Sequence, residues 1–202
     1  MMKTTGDLRY GDYMERIIYN ALFDAQDPAG RHIRYHNPPS GKRKYYHRDT
    51  YCCPNNFRRG ASRLPEHVYY TCDRGVVVNL FEASEADIAI NTNESVKLRQ
   101  ITDYPVSGRS RIVFEEVRGK GEFEVTIRVP SWCTDAEIRV DGAVCGEVIN
   151  RIWRDGDEIE IDLPMAWRFV RGRQLQAGHA ALMRGPVVYC LSRELNGLPE
   201  EI

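Results

Sequence analysis

The sequence predicts a mixed chain, helical over residues 1–72 and then an all-β antiparallel sandwich over residues 73–202. Three observations predict it. Apolar side chains recur at spacings of three and four between residues 6 and 26. From about Asp73 onward, short runs alternate apolar and polar residues with a period of two. Turn signals separate those runs, at Ser107-Gly108, Asp141-Gly142 and Asp155-Gly156.

The helical part begins with a predicted helix over residues 6–26. Tyr10, Tyr13, Met14, Ile17, Ile18, Ala21 and Leu22 form one broad apolar stripe, with Asp12, Glu15 and Arg16 towards the opposite side. Asp27-Pro28-Ala29-Gly30 stops it, because proline disfavours a helical residue before it. Arg31 to His36 reads as extended, and Asn37-Pro38-Pro39-Ser40-Gly41 as loop. A second helix is predicted over Asn56–Ser62, capped by Asn55 or Asn56 and ended by Pro65. One helix with one short companion cannot bury such a stripe alone. The expectation is therefore a tail of a larger helical domain, with a sandwich carrying a helical cap as the alternative.

In the β part, Gly75–Phe81, Glu124–Val129, Glu137–Val140, Glu158–Leu163 and Ala180–Met183 read as strands, the last continuing after Gly185-Pro186 as Val187–Leu191. Their short, regular spacing argues for a sandwich.

Composition excludes several classes of partner. The formal net charge is −1 with both signs interspersed, so neither nucleic acid nor an anionic membrane is indicated. The basic run Lys42-Arg43-Lys44 lies beside prolines and reads as a solvated loop. No apolar run approaches the roughly 18 residues that span a bilayer. Thiolates suit the cytoplasm and bound zinc protects them elsewhere, which leaves cytoplasm and periplasm both open.

Of six cysteines, Cys133 and Cys190 read as buried small hydrophobes, and only the vicinal pair Cys52-Cys53 is unusual. Adjacent cysteines rarely bond to each other, since the ring would be strained. As thiolates both can approach one zinc ion, and a low-pKa thiolate is also a nucleophile. Pro54 restricts the backbone of Cys53, and a helix start beyond it would lower a thiol pKa. The pair supplies two ligands of four, and two merely buried thiols are the competing reading. His47 is a possible third ligand, whereas His32, His36 and His67 show no ligand spacing. Paired carboxylates are the other candidates for acid–base or nucleophilic chemistry, at Glu115-Glu116, Glu82/Glu85 or Asp155/Asp157, where solvated charge is the default. Trp132, Trp153 and Trp167 offer surfaces that could stack on sugars in a carbohydrate-binding module, although strand tryptophans are more often core.

An ordered series of segments carries a further signal: Gly6-Asp7-Leu8-Arg9-Tyr10, Glu15-Arg16-Ile17-Ile18-Tyr19-Asn20, Tyr35-His36-Asn37-Pro38, Cys52-Cys53-Pro54-Asn55-Asn56 and Val78-Asn79-Leu80-Phe81. Thr102-Asp103-Tyr104-Pro105, Arg128-Val129-Pro130-Ser131-Trp132, Leu163-Pro164-Met165 and Arg184-Gly185-Pro186-Val187-Val188-Tyr189 complete it. The series resembles glycoside hydrolase family 127, the β-L-arabinofuranosidases, over nearly the whole chain.

That resemblance implies a catalytic (α/α)6 barrel followed by β-sandwich structure, and a retaining mechanism on a plant-type glycan or arabinofuranoside. It implies a zinc-bound cysteine nucleophile, matched here by Cys52, with Cys53 as the neighbouring zinc ligand. Tyr35 matches a sugar-contacting tyrosine. The family's Glu-x-Cys ligands and acid/base glutamate precede the segment that begins at Gly6, so the expectation is the last part of a barrel plus the sandwich, inactive alone. Asn55 stands where the family often has proline.

Overall fold

The computed structural model describes residues 2–36, 45–46, 52–191 and 197. The proline-rich loop at 37–41, the basic run at 42–44 and His47 lie outside the described residues.

A first helical turn, α1 (Met2–Thr5), ends at Gly6. The next helix, α2 (Arg9–Ile17), follows Asp7, whose Oδ1 accepts the Arg9 amide at 3.0 Å. It continues as a π-helical turn at Ile18–Leu22 and a 3-10 turn at Phe23–Ala25. The helix predicted over 6–26 is thus one run from Arg9 to Ala25 with three pitches. Its apolar stripe is left open, with Tyr13 59% and Ile17 58% exposed.

A short hairpin pairs β1 (Ile33–Arg34) with β2 (Tyr45–Tyr46). The second helix, α3 (Cys52–Ser62), begins four residues before the predicted start. Its first turn includes Pro54, which costs little there because the first helical N–H groups have no partner to lose. A 3-10 turn at Leu64–His67, holding Pro65, follows it.

The remaining strands run β3 (Tyr69–Cys72), β4 (Gly75–Val78), β5 (Ser84–Ala89), β6 (Ser95–Thr102), β7 (Arg109–Arg118) and β8 (Glu122–Ile127). They continue as β9 (Glu137–Val140), β10 (Ala143–Cys145), β11 (Val148–Ile152) and β12 (Glu158–Asp162). One sheet has the order β10-β9-β12-β7-β6-β5 and the facing sheet β11-β8-β4-β3. Every pairing is antiparallel except β4 with β8, which run parallel because the chain crosses to the other sheet and back between them. Asp141 and Gly142, both at positive φ, make the tight β9–β10 turn that the sequence marks. A third sheet orders β13 (Trp167–Arg171), β14 (Ala180–Arg184) and β15 (Val187–Tyr189).

The two larger sheets close on one core. Val76, Val78, Val125 and Ile127 from one sheet join Leu98, Ile112, Phe114 and Ile159 from the other, all without exposure. Trp153 stacks on Phe114 with centroids 4.1 Å apart and donates to the Phe123 carbonyl at 3.0 Å. Each such aliphatic or aromatic side chain contributes about 1.5–3 kcal/mol by leaving water.

The polar side of α2 meets this sandwich. Glu15 is 1% exposed. Its Oε1 accepts from Arg128 at 2.6 Å and from the Tyr104 hydroxyl at 2.8 Å, while Oε2 accepts from the Trp132 indole at 3.1 Å. Asp12 accepts a second Arg128 bond at 2.8 Å and the Ser131 amide at 3.1 Å. Arg128 also donates to the Asn79 carbonyl and lies over the Phe81 ring. Burial, then the neighbouring Glu15 carboxylate, pushes the Tyr104 hydroxyl well above its usual range, so it stays a donor.

Gly11 makes this approach possible. A Cβ there would sit 2.3 Å from Asn79 Oδ1 and 2.5 Å from Arg128 Cδ, both held by the seam. Gly11→Ala is therefore expected to destabilise the chain by about 1–3 kcal/mol, despite alanine's better helix propensity. Urea unfolding of the two proteins measures it, and an equal or higher midpoint for the variant would refute the close approach.

Candidate active site

Cys52 and Cys53 occupy the first turn of α3, with Pro54 buried behind them. Cys52 is exposed and Cys53 half-buried, and both are free thiols. Their sulfurs stand 3.9 Å apart. Two sulfurs bound at about 2.3 Å to one tetrahedral zinc are about 3.8 Å apart, so the pair fits two corners of such a site. Among the described residues, no three His, Cys, Asp or Glu side chains gather closely enough to hold a metal. The fit is therefore to half a ligand set. Desolvation, and then the neighbouring Cys52 sulfur, push the Cys53 thiol up. For Cys53 this runs against the expectation of a thiol acidified by the helix start, because burial disfavours the charged form.

The chain around the pair is organised by packing. α3 lies against β1 and against the π turn of the preceding helix, where Gly60 faces Leu22. Tyr35 follows β1 directly and is 44% exposed, with its ring edge-on to His36 at 4.6 Å. It thus stands just beyond the strand that packs against the cysteine helix. His32 pairs with Asp27 at 2.9 Å and His67 with the Tyr70 hydroxyl at 2.8 Å, so both have structural partners.

The rival residues are distributed otherwise. Glu115 pairs with Lys97 and Arg99, and Glu116 with Arg118. Asp155 accepts the Val117 amide and Asp157 the Arg154 amide, which makes both of them turn-formers. Burial pushes the Glu82 carboxyl up. Of the tryptophans, Trp153 is core and Trp132 belongs to the Glu15 seam, while Trp167 is 56% exposed beside Tyr189. Cys133 is buried as expected, but Cys190 is exposed, following Val188 and Tyr189, which are exposed within the last strand.

The buried seam leaves no local mark in the sequence, where periodicity puts Glu15 on the outer side of its helix. The available signal is that Glu15, Tyr104, Arg128 and Trp132 all fall inside the ordered segments that carry the family resemblance.

Comparison with known proteins bears on the whole chain. Residues 1–66 match the model described as Beta-L-arabinofuranosidase, GH127 catalytic domain, and residues 75–165 match the GH127 middle domain. The non-reducing end beta-L-arabinofuranosidase of Bifidobacterium longum subsp. longum is 25% identical over 210 residues, covering 90% of this chain and 31% of that protein. A solved glycoside hydrolase superposes with a TM-score of 0.91 at 26% identity, over 100% of this chain and 37% of its own. A GH127 beta-L-arabinofuranosidase from Geobacillus stearothermophilus T6 gives 0.85 at 30% identity, over 98% of this chain and 35% of its own. The chain thus spans about a third of the length of these relatives. With two successive domain models of one family matched in order, and the fold of its solved members reproduced, this chain belongs to the GH127 β-L-arabinofuranosidase family.

Proposed function

We propose that this chain contributes the nucleophile to a retaining hydrolase of β-L-arabinofuranosides. The observation that carries the reading is the pair of sulfurs 3.9 Å apart in the first turn of α3. In this reading Cys52 Sγ attacks the anomeric carbon, a C–S bond forms as the glycosidic C–O bond breaks, and the leaving oxygen takes a proton from an acid outside this chain. Water then attacks the same carbon and gives its proton to the conjugate base of that acid, while the C–S electron pair returns to Cys52 as thiolate. Cys52 and Cys53 would hold a zinc ion, whose charge stabilises thiolate over thiol at neutral pH. Tyr35 contacts the sugar from the strand against α3. The remaining zinc ligands and the acid come from a helical domain joined to this chain. The natural substrate is an arabinofuranoside-bearing plant-type glycan.

The test compares the 202-residue chain alone with the same chain joined to an upstream GH127 helical domain. The joined protein is expected to hold one zinc per chain and to release aryl alcohol from an aryl β-L-arabinofuranoside, while the chain alone does neither. Hydrolysis by the joined protein after its zinc is stripped, at an undiminished rate, would sink the reading.

A further inference from the structure

We infer that the groove on the outer face of the six-stranded sheet, across β7, β12 and β9, is a binding site for a neutral oligosaccharide. It is an open groove of about 510 Å³, within the range of small-molecule sites. It lies on the β-sandwich and draws on none of the residues assigned above to catalysis, so it stands independently of the cysteine reading.

The strand register sets charges face to face across this groove. Arg109 is opposite Asp162, and Asp162 opposite Glu137. Arg111 is opposite Glu160, and Glu160 opposite Arg139. On a plain solvated face such cross-strand neighbours pair, which stabilises the sheet. Here they do not. Arg111 reaches diagonally to Glu158 at 3.2 Å, and Arg139 turns along its own strand to Glu137 at 2.6 Å. The side chains of Arg109, Glu160 and Asp162 make no hydrogen bond or ion pair among the described residues. The groove floor therefore presents one free fork of donors and two free carboxylates to whatever enters.

The lining decides the chemistry of the ligand. Three guanidinium groups disfavour a metal cation, and three carboxylates, those of Glu137, Glu160 and Asp162, disfavour an anion. A neutral molecule whose groups donate and accept in alternation satisfies both kinds of side chain, and sugar hydroxyls do so. Strands about 4.8 Å apart set these groups at the separations found between hydroxyls across one or two sugar rings. Ile101, 41% exposed and opposite Arg111, adds an apolar edge for a ring face. Charge-assisted hydrogen bonds to hydroxyls then supply the affinity, with no aromatic platform needed.

The test is affinity electrophoresis of the 202-residue chain in gels containing debranched arabinan, dextran or polygalacturonate. Retardation by a neutral polysaccharide is expected, and Arg109→Ala and Glu160→Ala should each weaken it by about tenfold or more. Both side chains are on the surface, so both variants are expected to fold, and an unchanged circular dichroism spectrum checks this. Arg118→Ala, on β7 but outside the groove, should be retarded like the parent. The inference is overturned by no retardation in either neutral gel, by retardation in polygalacturonate alone, or by groove variants that migrate as the parent does. Loss of retardation in Cys52→Ala with retention in the groove variants would instead place the glycan at the cysteine site.

Discussion

Glu15→Ala is expected to lower the stability of the chain by about 3–5 kcal/mol, the cost of removing one partner from a buried ion pair. The carboxylate is shared by three donors, the Arg128 guanidinium, the Tyr104 hydroxyl and the Trp132 indole. Its removal leaves all three buried or half-buried without that acceptor. Asp12 still holds one Arg128 nitrogen, so the guanidinium keeps a countercharge and the loss falls short of a fully isolated ion. The mechanism is specific enough to be separated from a simple cavity. Arg128→Met removes the charge while filling much of the same space. In Glu15→Ala/Arg128→Met the buried charge and its unmet need vanish together, so the double variant should lose less than the two single losses combined. Urea midpoints of the four proteins measure this cycle. Strict additivity, or a loss below about 1 kcal/mol for Glu15→Ala, would mean that the seam is not an ion-pair network in solution.

That seam explains what the sequence did and did not disclose. The segments beginning at Glu15, Val78, Thr102 and Arg128 are unrelated words along the chain, yet Glu15, Asn79, Tyr104, Arg128 and Trp132 converge at one contact between helix and sandwich. Periodicity cannot reveal such a point, because a charged residue scores as exposed wherever it stands. The family resemblance carried the information that local pattern could not. The fold class was legible for the opposite reason. Alternation at Glu137–Val140 and Glu158–Leu163 reports a half-buried strand directly, and both strands stand where they are read, the second ending one residue earlier. β5, β6 and β7 were not marked. β5 carries Ala86 and Ile88 among charges, and in β6 the buried Gln100 interrupts the inward run after Val96 and Leu98. In β7 the inward Ser110 weakens the start of an otherwise regular alternation.

The vicinal cysteines were legible as the unusual feature of the chain and misplaced in their local structure. The second helix is expected from Asn56, beyond the pair, whereas it begins at Cys52 and holds Pro54 inside its first turn, where no hydrogen bond is lost. The consequence is geometric. On consecutive residues of a helix the two side chains point about 100° apart around the axis, so they approach one ion only from the open end of the first turn. That end is where Cys52 is exposed and Cys53 half-buried.

From this placement follows the largest functional effect. In a protein that joins this chain to a GH127 helical domain, Cys52→Ala should reduce kcat/KM for an aryl β-L-arabinofuranoside by at least about 10³-fold, as expected when a covalent nucleophile is removed. Both cysteines are proposed ligands, so activity loss alone does not distinguish nucleophile from ligand. Zinc supplementation does. A lost ligand weakens metal affinity, a deficit that mass action offsets, so Cys53→Ala should regain part of its activity as zinc is raised. A lost nucleophile has no such remedy, and Cys52→Ala should stay inactive at every zinc concentration that fills the site. Trapping gives the same discrimination by mass. An arabinofuranosyl adduct on the peptide that contains Cys52 should appear in the parent and in Cys53→Ala, and should be absent from Cys52→Ala. Recovery of Cys52→Ala by zinc, or an adduct carried by Cys53, would reverse the two roles.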